Sequence, residues 1–428
     1  MSDGKENLNT FMFWYIVVTI NIIFLYEGMQ DSIIAPIFPI QSKLYHNSSE
    51  TFIGLTMAAN DIGDLISSTI LINFFTDFIP NKYHFVLLCA TSGSSLVVFG
   101  ISDKIQDQYL YQFLQFILRI FSGLVVGFNY CFAVSYLSYI TDSLRLRAVL
   151  ITTIVTAFYA GVSIAPFFST LLYNSLGYTN IMILIGGVSF ISAIFLLPTK
   201  TVRKRNISTE NSQAYNTVSP FILFKRKKIL VQIYCQIVAN NVWGFFDATL
   251  AMILFTDFGL NQIDIGYAFS LGTLLTLISS TSSIYINSKG LHKFIFIVSI
   301  LIHALAVAVL SLSVYINNLF GVVFAYALHS CAKSMTLGAS TLYMKDLIEN
   351  EFEDALVINS IAYAAPASNI LSLTGRSLGL FCFGGLLFDH MGYLVSVNVV
   401  LILITIGALA EFYMVFRANK IGSSALPD

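Results

Sequence analysis

Apolar residues in this 428-residue chain come in long blocks separated by short polar ones. The first block begins near Phe11 and reaches Pro39 with no small-residue cleavage site behind a short apolar core, so it reads as a retained helix, not a signal peptide. The others cover 51–75, 84–102, 109–136, 147–173, 180–198, 229–256, 264–287, 294–314, 318–345, 355–388 and 393–416, making twelve in all. About 20 apolar residues cross a bilayer as a helix. Only helices and closed barrels satisfy the backbone in lipid, and barrel strands are about 10 residues long. The pattern therefore predicts an all-α membrane protein with twelve spanning helices.

Composition agrees. The chain is 56% hydrophobic and 11% charged, with mean hydropathy +0.78, whereas soluble domains are about 25% charged. This excludes a soluble enzyme, a nucleic-acid binder and a disordered chain. A net charge of −1 offers nothing to a polyanion. Cys89, Cys131, Cys235, Cys331 and Cys382 lie in apolar runs with no CxxC pair, so neither a disulfide framework nor a zinc site is expected. No P-loop, HExxH or nucleophile elbow occurs. No enzyme activity, metal or cofactor is expected, and primary ATP-driven transport by this chain alone is not expected either.

Positive charge sets the orientation. With the N-terminus in the cytoplasm, 17 of the 22 Lys and Arg fall on the cytoplasmic side, and only Lys43 and Lys104 fall on the far side. Both termini are then cytoplasmic, in a vesicle or organelle membrane or at the cell surface. The segments read as a cytoplasmic N-terminus (1–10), a six-helix bundle (11–198), a basic polar linker (199–228), a second six-helix bundle (229–416) and a cytoplasmic tail (417–428). Asn47-Ser48-Ser49 lies in the first far-side loop and makes Asn47 a glycosylation candidate.

The two bundles repeat one another. Leu65-Ile-Ser-Ser-Thr69 recurs as Leu277-Ile-Ser-Ser-Thr281, 212 positions on. Asp31-Ser-Ile-Ile-Ala35 is matched by Asp247-Ala-Thr-Leu-Ala251, 216 on, and Leu171-Leu-Tyr173 with Gly177-Tyr178 by Leu386-Leu-Phe388 with Gly392-Tyr393, 215 on. Six helices per repeat give both halves the same orientation. Parallel repeats of this kind belong to the major facilitator architecture, with the substrate site near the midplane between the repeats.

Charges inside the spans carry the candidate chemistry, because an ionised group at mid-bilayer costs about 2.5–3.5 kcal/mol. Glu27 and Asp31 share a face of the first helix, and Asn60, Asp61 and Asp64 lie on the second. Asp247 lies on the seventh helix with Asn240 two turns earlier, His329 and Lys333 on the tenth, Arg119 on the fourth and Arg376 on the eleventh. Five carboxylates face three fixed cations, an excess suited to protons, an organic cation or both in exchange. Pairing among these groups is the competing account, above all for Arg119, Asp61 and Arg376. Lys333 suits either a substrate anion or a neighbouring carboxylate, and His329 suits helix packing. The long eleventh run predicts a kink near Pro366 or Thr374-Gly375.

These residues resemble the vesicular amine transporters (solute carrier family 18), and their polyamine branch best. The block Trp243-Gly-Phe-Phe-Asp-Ala-Thr-Leu250 is similar to a family stretch with an acid at the Asp247 position, where Ala248 replaces a proline. Asn240 falls where monoamine members have an Asn seven residues before that acid. Counted back from Pro36-Ile-Phe-Pro39, Glu27 falls where those members bind the amine, and Asp64 matches an acid of the polyamine branch. Asp77 and Lys82 remain of the superfamily's second loop motif, Arg119, Gly123 and Gly127 of its fourth-helix motif, and Gly161 and Pro166 of its antiporter motif. The tenth-helix acid of the monoamine members has no counterpart, and His329 and Lys333 occupy that helix.

The resemblance implies a proton-coupled antiporter of small organic cations, working by alternating access. Asp247, Glu27, Asp31, Asn240, Lys333, Tyr26 and Trp243 then line the substrate site, the two aromatics through cation–π contacts. Asp64 and Arg119, with Asp247 and Glu27, handle protons. Partners are the substrate, protons and the lipid bilayer, with no nucleic acid. Two alternatives stay open: an anion or zwitterion carrier using Lys333 and Arg376, and a transporter-like scaffold that moves nothing.

Overall fold

The computed structural model describes residues 10–71, 82–140, 144–195, 197–198, 226–351 and 360–423. Every regular element among them is helical. The first apolar run is two helices: α1 (Thr10–Ser32), a turn, and α2 (Phe38–His46). Pro36 and Pro39 divide them, since neither can donate a helical N–H and Pro39 is tolerated only in a first turn. Next comes α3 (Glu50–Ile66), whose last turn widens to a π-helix at Ser67–Leu71. There Ser67 Oγ donates to the Asp64 carbonyl at 2.9 Å, and Thr69 Oγ1 to that of Leu65 at 2.5 Å. Such back-bonding competes with the helical ladder.

Then follow α4 (Lys82–Ile101), α5 (Gln108–Ile140) and α6 (Leu144–Ile194). Gly177, at φ 73° and ψ 169°, breaks α6 into the two limbs that the sequence reads as separate runs. The remaining helices are α7 (Lys227–Thr256), α8 (Gln262–Ser288), α9 (His292–Tyr315), α10 (Leu319–Glu351), α11 (Ser360–Leu378) and α12 (Tyr393–Ser423). Asn261 caps α8 by accepting from the Ile263 and Asp264 amides at 2.9 and 3.0 Å.

The expected kink in the eleventh run is displaced. α11 stays regular through Pro366, Thr374 and Gly375 and passes into a π-helix at Gly379–Leu387. The wide turn falls where Gly384 and Gly385 remove side chains. A Cβ on Gly54 of α3 would overlap the Leu380 carbonyl there. Close approach of α3, not proline, locates the irregularity.

The described residues form two compact units, one within 1–37 and 62–208, the other within 38–61 and 209–428. In the first, α1 lies along α6, with α4 and α5 against them. Ile16, Ile20, Phe24, Phe85, Tyr136 and Ile154 form part of its core. Glycines set the α1–α6 approach: a Cβ on Gly28 would strike the Phe158 carbonyl, and one on Gly161 the Leu25 carbonyl. In the second unit α7 is the central helix and is buried along most of its length. α11 meets it through Gly244, Gly375 and Gly379, each backed by a carbonyl of the partner helix. Small residues at such crossings let backbones pack closely where lipid supplies no hydrophobic drive.

Nine helical stretches among the described residues are long and apolar enough to cross a membrane. Their outer faces carry large apolar side chains, among them Leu87, Phe113, Leu305 and Leu409. Such a surface suits lipid and is unfavourable in water.

Candidate functional site

Each unit holds its own buried polar cluster. In the first, α1 presents Glu27, α3 presents Asp64 and α5 presents Arg119 and Asn129. Glu27 is buried, and the Asn129 side-chain amide donates to its Oε1. Its Oε2 is buried with no hydrogen-bond partner among the described residues. No Lys, Arg or His nitrogen forms an ion pair with Glu27 among the described residues, and the charge of Asp64 is felt at it. Asp64 accepts from Ser68 Oγ at 2.7 Å. Gly127 makes room for it, because a Cβ there would collide with Ser67 Oγ and crowd Asp64 Oδ1. One turn along α1 from Glu27, Asp31 lies 3.6 Å from Arg119 Nη2, both side chains at most 5% exposed.

Arg119 therefore stands beside Asp31, and an amide meets Glu27. Tyr26 is half-buried beside Glu27 in sequence. Gly161 serves the α1 contact described above. The Pro166 carbonyl accepts from Ser169 Oγ and Thr170 Oγ1, both at 2.9 Å. Asp77 and the Lys82 side chain lie outside the described residues.

In the second unit Arg376 of α11 bridges two carboxylates. Its Nη1 lies 3.0 Å from Asp61 Oδ1 and its Nη2 3.3 Å from Asp247 Oδ2. Trp243 collects both cations of the cluster: Lys333 Nζ is 3.7 Å from the indole centroid and the Arg376 guanidinium carbon 4.5 Å. The sequence reading gave this indole to a substrate cation. In the structure the electron-rich ring faces two of the protein's own cations. Asn240 Nδ2 donates to the Gln236 carbonyl at 2.8 Å, within its own helix. His329 stacks on Phe246 at 4.5 Å, and its Nδ1 is 3.3 Å from that of His303, consistent with a packing role.

The charge excess read from the sequence is thereby located. The second unit sets Asp61 and Asp247 against Arg376 and Lys333. The first sets Glu27, Asp31 and Asp64 against Arg119. Sequence reasoning missed Asn129 and Glu411. Asn129 is an uncharged amide inside an apolar run, and helical spacing alone gave no signal of a partner on another helix. Glu411 was legible as a carboxylate within the last run, where insertion cost alone marks it. Asn47 is exposed at φ 48° in the turn between α2 and α3, and Ser49 of its sequon accepts from the Phe52 amide at 3.2 Å.

The family model described as Major Facilitator Superfamily matches residues 20–370. The chain belongs to that superfamily. Two curated relatives are the MFS-type transporter SLC18B1 of Mus musculus, 21% identical over 242 residues, and of Homo sapiens, 22% over 249. Each match covers 56% of this chain and 50% of the relative, so the chain is matched to about half the relatives' length. Among solved structures, a D-xylose–proton symporter superposes with TM-score 0.70 at 16% identity, covering 94% of this chain and 97% of that one. A bacterial homologue of the human lysosomal transporter Spinster gives 0.70 at 13%, covering 95% and 97%. The nucleoside transporter NupG gives 0.67 at 13%, covering 93% and 98%. These likenesses establish the twelve-helix major facilitator fold built from two six-helix repeats.

Proposed function

We propose that this protein is a secondary active carrier exchanging protons for a small organic cation by alternating access. The observation that carries the reading is Glu27, a buried carboxylate with one neutral donor on one oxygen and no hydrogen-bond partner on the other. A buried carboxylate is retained where a proton or a cation neutralises it in turn. Asp31, Asp61 and Asp247, three further interior carboxylates, each lie beside an arginine. Glu27 is thus the seat of the exchanged cation. Asp64 and Arg119 tune its field from the same unit, and Asp247 serves substrate when Arg376 releases it. Likeness to solute carrier family 18 supports an amine or polyamine as the cargo, and the distribution of Lys and Arg supports cytoplasmic termini joined through a cytoplasmic 199–228 linker.

The test is uptake by proteoliposomes with an acidic interior, presented with labelled spermidine, monoamines and organic anions. Gradient-driven amine accumulation, abolished by Glu27→Gln, is the expected result. Uptake of an anion instead, lost in Lys333→Met, favours a second reading, an anion or zwitterion site. That reading draws on the ammonium and guanidinium gathered on one indole. Transport of no panel member by monodisperse protein counts against both.

A further inference from the structure

Glu411 is a further buried carboxylate, and the exchange proposed above does not use it. It lies on α12 and is 1% exposed. Tyr343 of α10 donates its hydroxyl to Oε1 at 2.6 Å. The Cys235 thiol of α7 is 3.9 Å from Oε2 and 3.3 Å from the Gly407 carbonyl, a better acceptor position. No Lys, Arg or His nitrogen forms an ion pair with it among the described residues.

The helices packed against α12 carry further titratable groups. Lys293, at the start of α9, acts on it from longer range. Tyr234 of α7 gives its hydroxyl to the Leu403 carbonyl at 3.1 Å. Asp346 of α10 is bonded to His292.

An ionised carboxylate so enclosed lacks the counter-charge that normally accompanies burial, and the cost is several kcal/mol. A purely structural cross-link of three helices needs only an amide. A carboxyl is required where a proton comes and goes. Position supplies the route. Glu411 stands 18 residues beyond Tyr393, about 27 Å at 1.5 Å per residue. That is close to the full hydrocarbon thickness of about 30 Å, so it lies near the face at which α9 begins.

We propose that Glu411 is a second proton-exchanging carboxyl of this carrier, loaded from the aqueous face at which α9 begins, with Tyr343 positioning it and setting the pH of loading. A proton from water joins the carboxylate and returns to water, and Tyr343 keeps its own proton throughout. The place of this site in a transport cycle rests on the carrier reading above; the site itself is tested without substrate.

The experiment is an infrared pH titration of the protonated-carboxyl C=O band, on purified full-length protein in liposomes, for wild type, Glu411→Gln and Tyr343→Phe. One component of the wild-type titration is expected to be absent in Glu411→Gln and to move to higher pH in Tyr343→Phe, where the ionised form has lost its donor. A Glu411→Gln titration superposable on wild type overturns the proposal. So does an unmoved component in Tyr343→Phe, which also decides the matter if the glutamine variant does not fold. In the same vesicles, the pH profile of labelled spermidine uptake should flatten in Glu411→Gln. Absence of spermidine uptake by wild type would count against the carrier reading, and the infrared result would still decide the proton site.

Discussion

Gly177 and Gly392 stand 215 positions apart and hold the same backbone conformation, φ 73° and ψ 169° at one, φ 80° and ψ 167° at the other. This region is open to glycine almost alone, and another residue there costs about 1–3 kcal/mol. Space is not the constraint, since a Cβ would meet nothing within 4 Å at either site. Gly177→Ala and Gly392→Ala should each lower the thermal unfolding midpoint of detergent-solubilised protein. Gly187 is equally open but helical, and Gly187→Ala should leave the midpoint unchanged or raise it. Equal effects at all three would show that backbone conformation is not what the repeat preserves.

Gly161 links the α1–α6 contact to the charged cluster. Its missing side chain lets α6 seat on the Leu25 carbonyl, two residues before Glu27. Gly161→Ala should cost about 1–3 kcal/mol by overpacking, and it should displace α1 where Glu27 meets Asn129. The expected outcome is protein that reconstitutes with a lowered midpoint and loses gradient-driven uptake. Uptake equal to wild type would detach this contact from the site.

What the sequence could disclose follows from what its signals depend on. The twelve runs and the repeat are properties of consecutive residues, so they read directly. Gly28 and Gly244 are also repeat partners, 216 apart like Asp31 and Asp247. Their shared role, approach of a neighbouring carbonyl, emerges only when two helices are placed together. Partner choice was illegible for the same reason. That Arg376 takes Asp61 and Asp247 depends on three helices separated by up to 315 positions. The π-helix at Gly379 depends on Gly54 of another helix. Asn129 became significant only as the donor to Glu27.

Arg376 holds two carboxylates, so its loss should exceed that of either partner. Removing one member of a buried pair costs about 3–5 kcal/mol, because the other charge stays buried. Arg376→Gln should therefore lower the unfolding midpoint more than Asp61→Asn or Asp247→Asn. Adding Asp61→Asn to Arg376→Gln should recover part of the loss, since contacting groups are not additive. A double variant no better than Arg376→Gln alone would mean that the bridge to Asp61 contributes nothing.

Trp243 offers a readout of this cluster that needs no substrate. The chain has two tryptophans, Trp14 and Trp243, so Trp14→Phe leaves the indole beside Lys333 and Arg376 as sole emitter. A cation against the ring contributes about 0.5–2 kcal/mol, less than the buried ion pairs. Trp243→Leu should consequently destabilise less than Arg376→Gln while freeing both cations to move. In the Trp14→Phe background, Lys333→Met removes an ammonium 3.7 Å from the ring centroid and should shift the emission maximum. If Asp247 is released from Arg376 on substrate binding, the guanidinium must also leave the indole, and the same emission should respond to a transported amine. Emission indifferent to Lys333→Met would contradict the geometry. Emission that responds to Lys333→Met and ignores a transported amine would keep the geometry and place substrate at Glu27 alone.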